Sequence, residues 1–198
     1  FVEKKLAELY PNPKAPLDHS NAFTLLIAVL LSAQTTDKRV NVVTKELFKL
    51  APNPEKMLKL GEKKVYEYIK TCGLAPKKAK AIIATSEILL KEYAGRVPKD
   101  LAALEKLPGV GHKTASVVVS EYFKKPAFPV DTHIHRLAQR WGLTNGKSVK
   151  KTEEDLKEIF DEMNWRDLHL QIIFYGRTFC TARGCDGTIC FMCKSLYP

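Results

Sequence analysis

No apolar run in this chain approaches the roughly 20 residues that a membrane helix needs. The longest extends only from Leu25 to Leu31, so no membrane partner is expected. No apolar stretch opens the chain either; its first residues form an amphipathic segment of mixed charge, unlike a secretory signal. The expected location is intracellular: cytoplasm or nucleoid in a prokaryote, nucleus or an organelle in a eukaryote. There is no run of five or more Lys or Arg, which excludes a disordered basic tail as the source of the charge. Convincing period-two alternation is missing, which argues against a β fold. Internal repeats and low-complexity segments are missing as well.

The chain has 198 residues, of which 45% are hydrophobic and 27% charged. That length suits one large domain or two small ones with a substantial buried core. There are 32 Lys+Arg against 22 Asp+Glu, a net charge of +10. Such a surplus favours a polyanionic partner, nucleic acid being the commonest. No surplus apolar face is visible, so a monomer is expected.

Helical periodicity dominates. Ala79, Ile82, Ile83, Ser86, Leu89, Leu90 and Tyr93 recur at steps of three and four, as do Ile134, Leu137, Ala138 and Trp141. Ala22 to Ala33 is apolar all round and predicts a central buried helix. Leu168, Ile172 and Tyr175 predict another. Val117, Val118 and Val119 are β-prone but continue a segment that a helix-entry turn precedes. Proline and glycine cut the chain into short units at Pro52 and Pro54, Gly73 to Pro76, Gly95 to Pro98 and Pro108-Gly109. The expectation is an all-α fold of about ten short helices. Pro126 to Pro129 is the expected crossing between two helical lobes.

Five cysteines are unevenly spread. Cys72 stands alone and reads as a small buried apolar residue. Cys180, Cys185, Cys190 and Cys193 crowd together near the C-terminus, as ligands of one metal centre would. A secreted disulfide framework would spread them along a smaller chain.

The strongest local signal is Leu107-Pro108-Gly109-Val110-Gly111-His112-Lys113-Thr114-Ala115. Leu101, Leu104 and Leu107 form a short apolar face before it, and Ala115, Val118 and Val119 begin another after it. Gly109 and Gly111 permit positive φ and close approach of another chain. The peptide N–H groups of such a turn, and of the helix start behind it, suit a phosphodiester oxygen without sequence preference. The string resembles the helix–hairpin–helix element of DNA repair glycosylases.

Lys113 falls in the first turn of the following helix. The positive end of the helix dipole disfavours an ammonium there, and partial burial acts the same way, leaving more free amine. A free amine beside a bound DNA backbone can attack a sugar carbon and form a Schiff base. Phosphate binding is the blander role. Asp131 follows eighteen residues later, in Val130-Asp131-Thr132-His133-Ile134-His135-Arg136. It reads as the N-cap of an amphipathic helix. The same carboxylate could take a proton from Lys113 or stabilise charge developing on a deoxyribose ring.

The hairpin lysine, its spacing to Val-Asp-Thr-His and the segment Leu30-Leu31-Ser32-Ala33-Gln34-Thr35-Thr36-Asp37 together resemble the endonuclease III family. These are bifunctional DNA glycosylase/AP lyases of the helix–hairpin–helix (HhH-GPD) superfamily. The likeness runs from about Phe23 to Cys180. It implies two helical lobes with a DNA-binding groove between them and a C-terminal iron–sulfur loop. The boundaries it suggests are a six-helix barrel domain over 15–125, with 1–14 and 126–198 forming the second helical domain.

The resemblance also implies roles. Lys113 would be the nucleophile at C1′ and Asp131 the essential carboxylate. Gln34 would enter the space left by an extruded base, and Leu74 would wedge into the stack from the other side. Asp37 and Glu105 match acidic pocket residues, and His133 a histidine near the pocket and backbone. Gly109 and Gly111 would contact DNA. Lys77, with Lys78 and Lys80, would meet phosphates; His112 and His135 are expected to be surface or supporting residues. The partner would be double-stranded DNA containing oxidised pyrimidines or abasic sites, repaired by base excision.

Two other readings compete. A monofunctional glycosylase would use the aspartate without a hairpin lysine, and a non-catalytic module would use the hairpin only as a phosphate clamp. The cysteines depart from the family pattern. The family spaces its ligands by six, two and five residues, and here the gaps are four, four and two. A [4Fe–4S] cluster is the expected cofactor, with Gly184 and Gly187 easing the tight turns. Zinc and a metal-free remnant are the alternatives.

Overall fold

The computed structural model describes residues 1–196. Among these residues it contains twelve α-helices, one 3-10 turn and no strand. The count exceeds the expected ten partly because Gly61, at φ 79°, both ends one helix and starts the next. No described helix is long and apolar enough to cross a membrane.

The chain divides into two compact units, Ala15–Lys125 and Phe1–Lys14 together with the chain from Pro126. The second unit opens with α1 (Val2–Leu9). The first is built from α2 (Ala22–Ser32), α3 (Asp37–Leu50), α4 (Pro54–Leu60), α5 (Glu62–Ile69), α6 (Ala75–Tyr93), α7 (Leu101–Glu105) and α8 (His112–Glu121). The second continues with α9 (Thr132–Arg140), α10 (Val149–Ile159), the 3-10 turn Glu162–Asn164, α11 (Trp165–Thr178) and α12 (Phe191–Leu196).

In the first unit α2 is the hub. Every residue from Phe23 to Leu31 is buried, and α3, α6 and α8 pack around it. An all-apolar helix has no solvent face, so it must be enclosed. Its start is fixed by a capping box. Asn21 Oδ1 accepts from the Thr24 N–H at 2.9 Å, and Thr24 Oγ1 accepts from the Asn21 N–H at 3.0 Å. The Asn21 amide also donates to the Pro52 carbonyl at 3.0 Å, tying the cap to the loop before α4. In α6 the buried stripe is Ala75, Lys78, Ala79, Ile82, Thr85, Ser86 and Leu89, while Ile83, Leu90 and Tyr93 are only half-buried.

In the second unit α11 packs on α1 and α9, and α10 on α9. Leu6, Phe128, Ile134, Leu137, Trp141, Leu156, Leu168, Ile172 and Tyr175 form its core. The four C-terminal cysteines belong to the same cluster. Trp141 meets Tyr175 edge-on at 5.5 Å between ring centroids.

Two substitutions probe the hub. Leu26→Ala, in a side chain with no exposed surface, is expected to cost about 2–5 kcal/mol. Asn21→Ala is expected to cost about 1 kcal/mol through loss of the cap. Both should shift the urea midpoint without changing the slope of the transition.

Candidate functional site

The hairpin joins α7 to α8. Asp100 starts α7 by accepting the Ala103 N–H at 2.9 Å, and Leu104 and Leu107 anchor its apolar side. The two turn glycines do different work. Gly109 has φ 75°, and a Cβ there would lie 3.0 Å from Ala81 Cβ and 3.2 Å from Leu30 Cδ1. It permits the turn and its close packing on α2 and α6. Gly111 has nothing within 4 Å of an added Cβ, and no side chain caps α8 behind it. The N-terminal end of α8 is therefore uncapped beside open space, the arrangement that receives an anion. Thr85 Oγ1 donates to the Pro108 carbonyl at 3.0 Å and fastens the hairpin to α6.

Lys113 lies in the first turn of α8 and is half-buried. Glu105 and His112 pair across the hairpin, His112 Nδ1 standing 2.5 Å from Glu105 Oε1. The pairing joins a residue expected in the pocket to one expected to be peripheral; the sequence separation alone gave no sign of it. Asp37 sits in the first turn of α3, after the Thr36 cap, where a carboxylate complements the helix dipole.

Gln34 and Leu74 occupy two turns of the same unit. Both are non-glycine residues in the left-handed region, Gln34 at φ 54° and Leu74 at φ 58°, and both side chains are exposed. The turns meet where Gly73 lies against Gln34 and Thr35. Gly73 N–H donates to Thr35 Oγ1 at 3.1 Å, and a Cβ on Gly73 would come within 2.7 Å of the Gln34 carbonyl oxygen.

The basic cluster after Leu74 divides. Lys77 and Lys80 are exposed, but Lys78 is only 5% exposed and points inward. The expectation of a phosphate contact at Lys78 is thus corrected. Its ammonium donates to the Leu31 carbonyl at 2.8 Å, the Ala33 carbonyl at 2.6 Å and Thr35 Oγ1 at 3.1 Å. Burial pulls its affinity for the proton below the ordinary lysine range, with the buried Cys72 thiol acting weakly the other way. The signal was available, since position 78 falls on the Ala75–Ala79–Ile82 stripe.

In the second unit Asp131 caps α9. Oδ1 accepts the His133 and Ile134 N–H groups, each at 2.9 Å, while Oδ2 makes no hydrogen bond among the described residues. His133 lies in the first turn of α9, its Nδ1 3.5 Å from Arg136 Nη1. His135 instead pairs with Thr152, at 2.7 Å.

The cysteine centre lies in the same unit. All four thiols are buried, and their Sγ atoms lie within 4.8 Å of one another, Cys180 and Cys193 being 3.8 Å apart. Every cysteine is free of disulfides. Arg140 donates to Cys180 Sγ at 3.2 Å and to the Thr181 carbonyl at 3.0 Å. Arg136 donates to the Cys180 carbonyl at 3.0 Å. Neither arginine was anticipated, although both fall on the polar side of the predicted helix after Asp131. Burial pushes the Cys185 thiol up, but the N–H groups of Gly187, Cys190 and Ile189 outweigh it and bring it down to about 6. Gly187 has φ 103°. A Cβ on Gly184 would lie 2.5 Å from Thr181 Oγ1, which accepts the Gly184 N–H at 2.9 Å. A buried set of four thiols, with cationic and N–H donors beside it, fits a thiolate-bound metal.

The hairpin glycines should separate in stability. Gly109→Ala is expected to cost at least about 2 kcal/mol, from a left-handed backbone and a filled contact. Gly111→Ala should cost no more than about 1 kcal/mol as an N-cap change. Chemical denaturation of the two variants against the parent chain measures the difference.

Residues 27–162 match the model of the HhH-GPD superfamily, base excision DNA repair proteins. The chain is 46% identical over 193 residues to Endonuclease III of Rickettsia conorii, covering 96% of this chain and 92% of that protein. It is 48% identical over 179 residues to Endonuclease III of Escherichia coli, covering 90% of this chain and 85% of that one. Its fold matches the solved structure of a trapped endonuclease III–DNA covalent intermediate with a TM-score of 0.91. The identity there is 38%, over 98% of this chain and 94% of that chain. An uncapped Gly-x-Gly hairpin carrying a lysine, an aspartate cap on α9 and identity of this extent lead to one conclusion: the chain belongs to the endonuclease III family of the HhH-GPD superfamily.

Proposed function

We propose that this protein is a base-excision DNA glycosylase with AP lyase activity, removing oxidised pyrimidines from intracellular double-stranded DNA. The observation that carries the reading is Lys113 in the first turn of α8, behind an uncapped helix start that suits a phosphate. A monofunctional glycosylase needs no nucleophilic lysine there.

In this reading the +10 net charge gives lesion-independent affinity that falls steeply with salt. Gly109, Gly111 and Lys77 meet the backbone. Gln34 and Leu74 enter the stack as the damaged nucleotide leaves it, at a cost of a few kcal/mol, lower for a base that already stacks poorly. Asp37, Glu105 and His133 border the everted nucleotide. The Lys113 amine attacks C1′; the N–C bond to sugar forms as the glycosidic bond breaks, and the base leaves with the bonding electron pair and takes a proton from water. Asp131, whose Oδ2 is not used in capping, accepts the proton from the amine and stabilises charge on the ring. The C1′–O4′ ring bond then opens, O4′ taking the proton held by Asp131, to give the Schiff base; loss of its C2′ proton breaks the C3′–O bond and nicks the strand 3′ to the lesion, the phosphate leaving with the bonding pair. Water hydrolyses the imine and frees the lysine.

For the cysteines the family reading is a [4Fe–4S] cluster held by Cys180, Cys185, Cys190 and Cys193. It would clamp the loop onto the core of the second unit and take no part in bond chemistry. A single zinc ion is the second reading, favoured by the closeness of the sulfurs. Four thiols within 4.8 Å of one another could also surround one zinc ion.

The test of function is covalent trapping. With a thymine-glycol duplex and borohydride, the native protein should form a protein–DNA adduct and Lys113→Gln none. Asp131→Asn should slow trapping by about 100-fold or more. Base release without an adduct would establish the monofunctional reading; neither would establish a binding module. Metal content of the freshly purified protein decides the centre. About four irons with visible absorbance supports the cluster, and one colourless zinc supports the second reading.

A further inference from the structure

The buried ammonium of Lys78 is placed where three segments meet. Two of its acceptors, the carbonyls of Leu31 and Ala33, lie at the C-terminal end of α2. Carbonyls there lack partners within the helix and carry the negative end of its dipole. The third acceptor, Thr35 Oγ1, lies one residue after Gln34 and also receives the Gly73 N–H, one residue before Leu74. One cation therefore ties the end of α2, the Gln34 turn and the Leu74 turn together.

The two turns need such a tie. Neither Gln34 nor Leu74 is glycine, yet both are left-handed, a conformation that costs an L-residue about 1–2 kcal/mol. Strain of this kind persists only where the surroundings over-determine it. The missing Cβ of Gly73 lets its turn close onto the Gln34 carbonyl, and Lys78 supplies the polar half of the junction from a position without solvent. A lysine has three donors to match the three acceptors. Losing them would strand the buried Leu31 carbonyl.

We propose that Lys78 is a positioning residue for nucleotide extrusion: its ammonium holds the Gln34 and Leu74 turns in register so that both side chains meet the duplex together. The proposal rests on the reading of Gln34 and Leu74 as the residues that enter the stack. Lys78 itself touches no DNA. Its effect falls on duplex substrates, where a base must be moved, and not on a sugar that is already accessible.

The test compares Lys78→Met, Gln34→Ala, Leu74→Ala and the double variant Lys78→Met/Gln34→Ala. Two readouts are taken: single-turnover base release from a thymine-glycol duplex, and borohydride trapping on a single-stranded abasic oligonucleotide, where no extrusion is needed. Lys78→Met is expected to lose about 10- to 100-fold on the duplex, as misplaced groups do, and to trap the single strand at nearly the parent rate. The double variant should be little worse than its worse parent, because both changes disable one device. If Lys78→Met keeps the duplex rate while Gln34→Ala or Leu74→Ala loses it, the positioning role is overturned and the reading of the two turns survives. If Gln34→Ala and Leu74→Ala both keep the duplex rate, that reading fails and the proposal with it. Equal losses on both substrates mark a general structural role and also overturn the proposal. Should Lys78→Met not fold, Thr35→Val carries the test by cutting the link between the turns. It should show the same split between substrates, and uniform rates would overturn the proposal.

Discussion

An apolar helix without an outward face has to be enclosed, and in Ala15–Lys125 that helix is α2. Its burial recruits α3, α6 and α8, and each of them carries or adjoins a residue of the proposed site. Asp37 starts α3, Leu74 precedes α6, and Lys113 starts α8. The turn glycine that makes the hairpin possible, Gly109, packs directly on Leu30 of this helix. Where α2 ends, its terminal carbonyls are taken up by a lysine from α6. The chemistry of the unit is thus arranged around the ends of one hydrophobic segment.

The second unit solves a different problem. Its core reaches into the cysteine loop, so the thiols count among its packed apolar residues and also lie close enough to hold a metal. Tyr175 links the two roles. It packs on Trp141, and its hydroxyl accepts the Met192 N–H at 3.2 Å, next to Cys193. Arg136 and Arg140, one helical turn apart on α9, hold the Cys180 end of the loop. The same helix begins with Asp131. The capping carboxylate and the cysteine loop therefore share one rigid support, and whatever steadies the loop steadies α9.

Much of this could be read from residue patterns. The periodicity around Ile134, Leu137 and Trp141 gave α9, and the residue before it gave its cap. The helical character of Val117–Val119 followed from the hairpin that precedes them, against their β propensity, because tertiary burial on α2 outweighs a propensity of a few tenths of a kcal/mol. The Gly61 break between α4 and α5 was less legible, since a glycine in a helical stretch can be tolerated or can end it. Lys78 was misread because three lysines close together look like a solvated face. Only its register against Ala75, Ala79 and Ile82 told against that. The Glu105–His112 pair and the two arginines behind Cys180 depend on how turns fold back, which spacing along the chain does not encode.

By itself, the order of residues determined the helical class, the hairpin, the lysine and aspartate proposed to carry the chemistry, and the crowding of four thiols. These are local matters of periodicity, turn chemistry and donor type, and each is settled within a dozen or so residues. Tertiary structure alone decided which charged side chains turn inward and which backbone positions bear strain. It also decided how close the four sulfurs come. Those outcomes depend on what else occupies the same space, and a buried cation or a left-handed glutamine is stable only once the surrounding helices have supplied its partners.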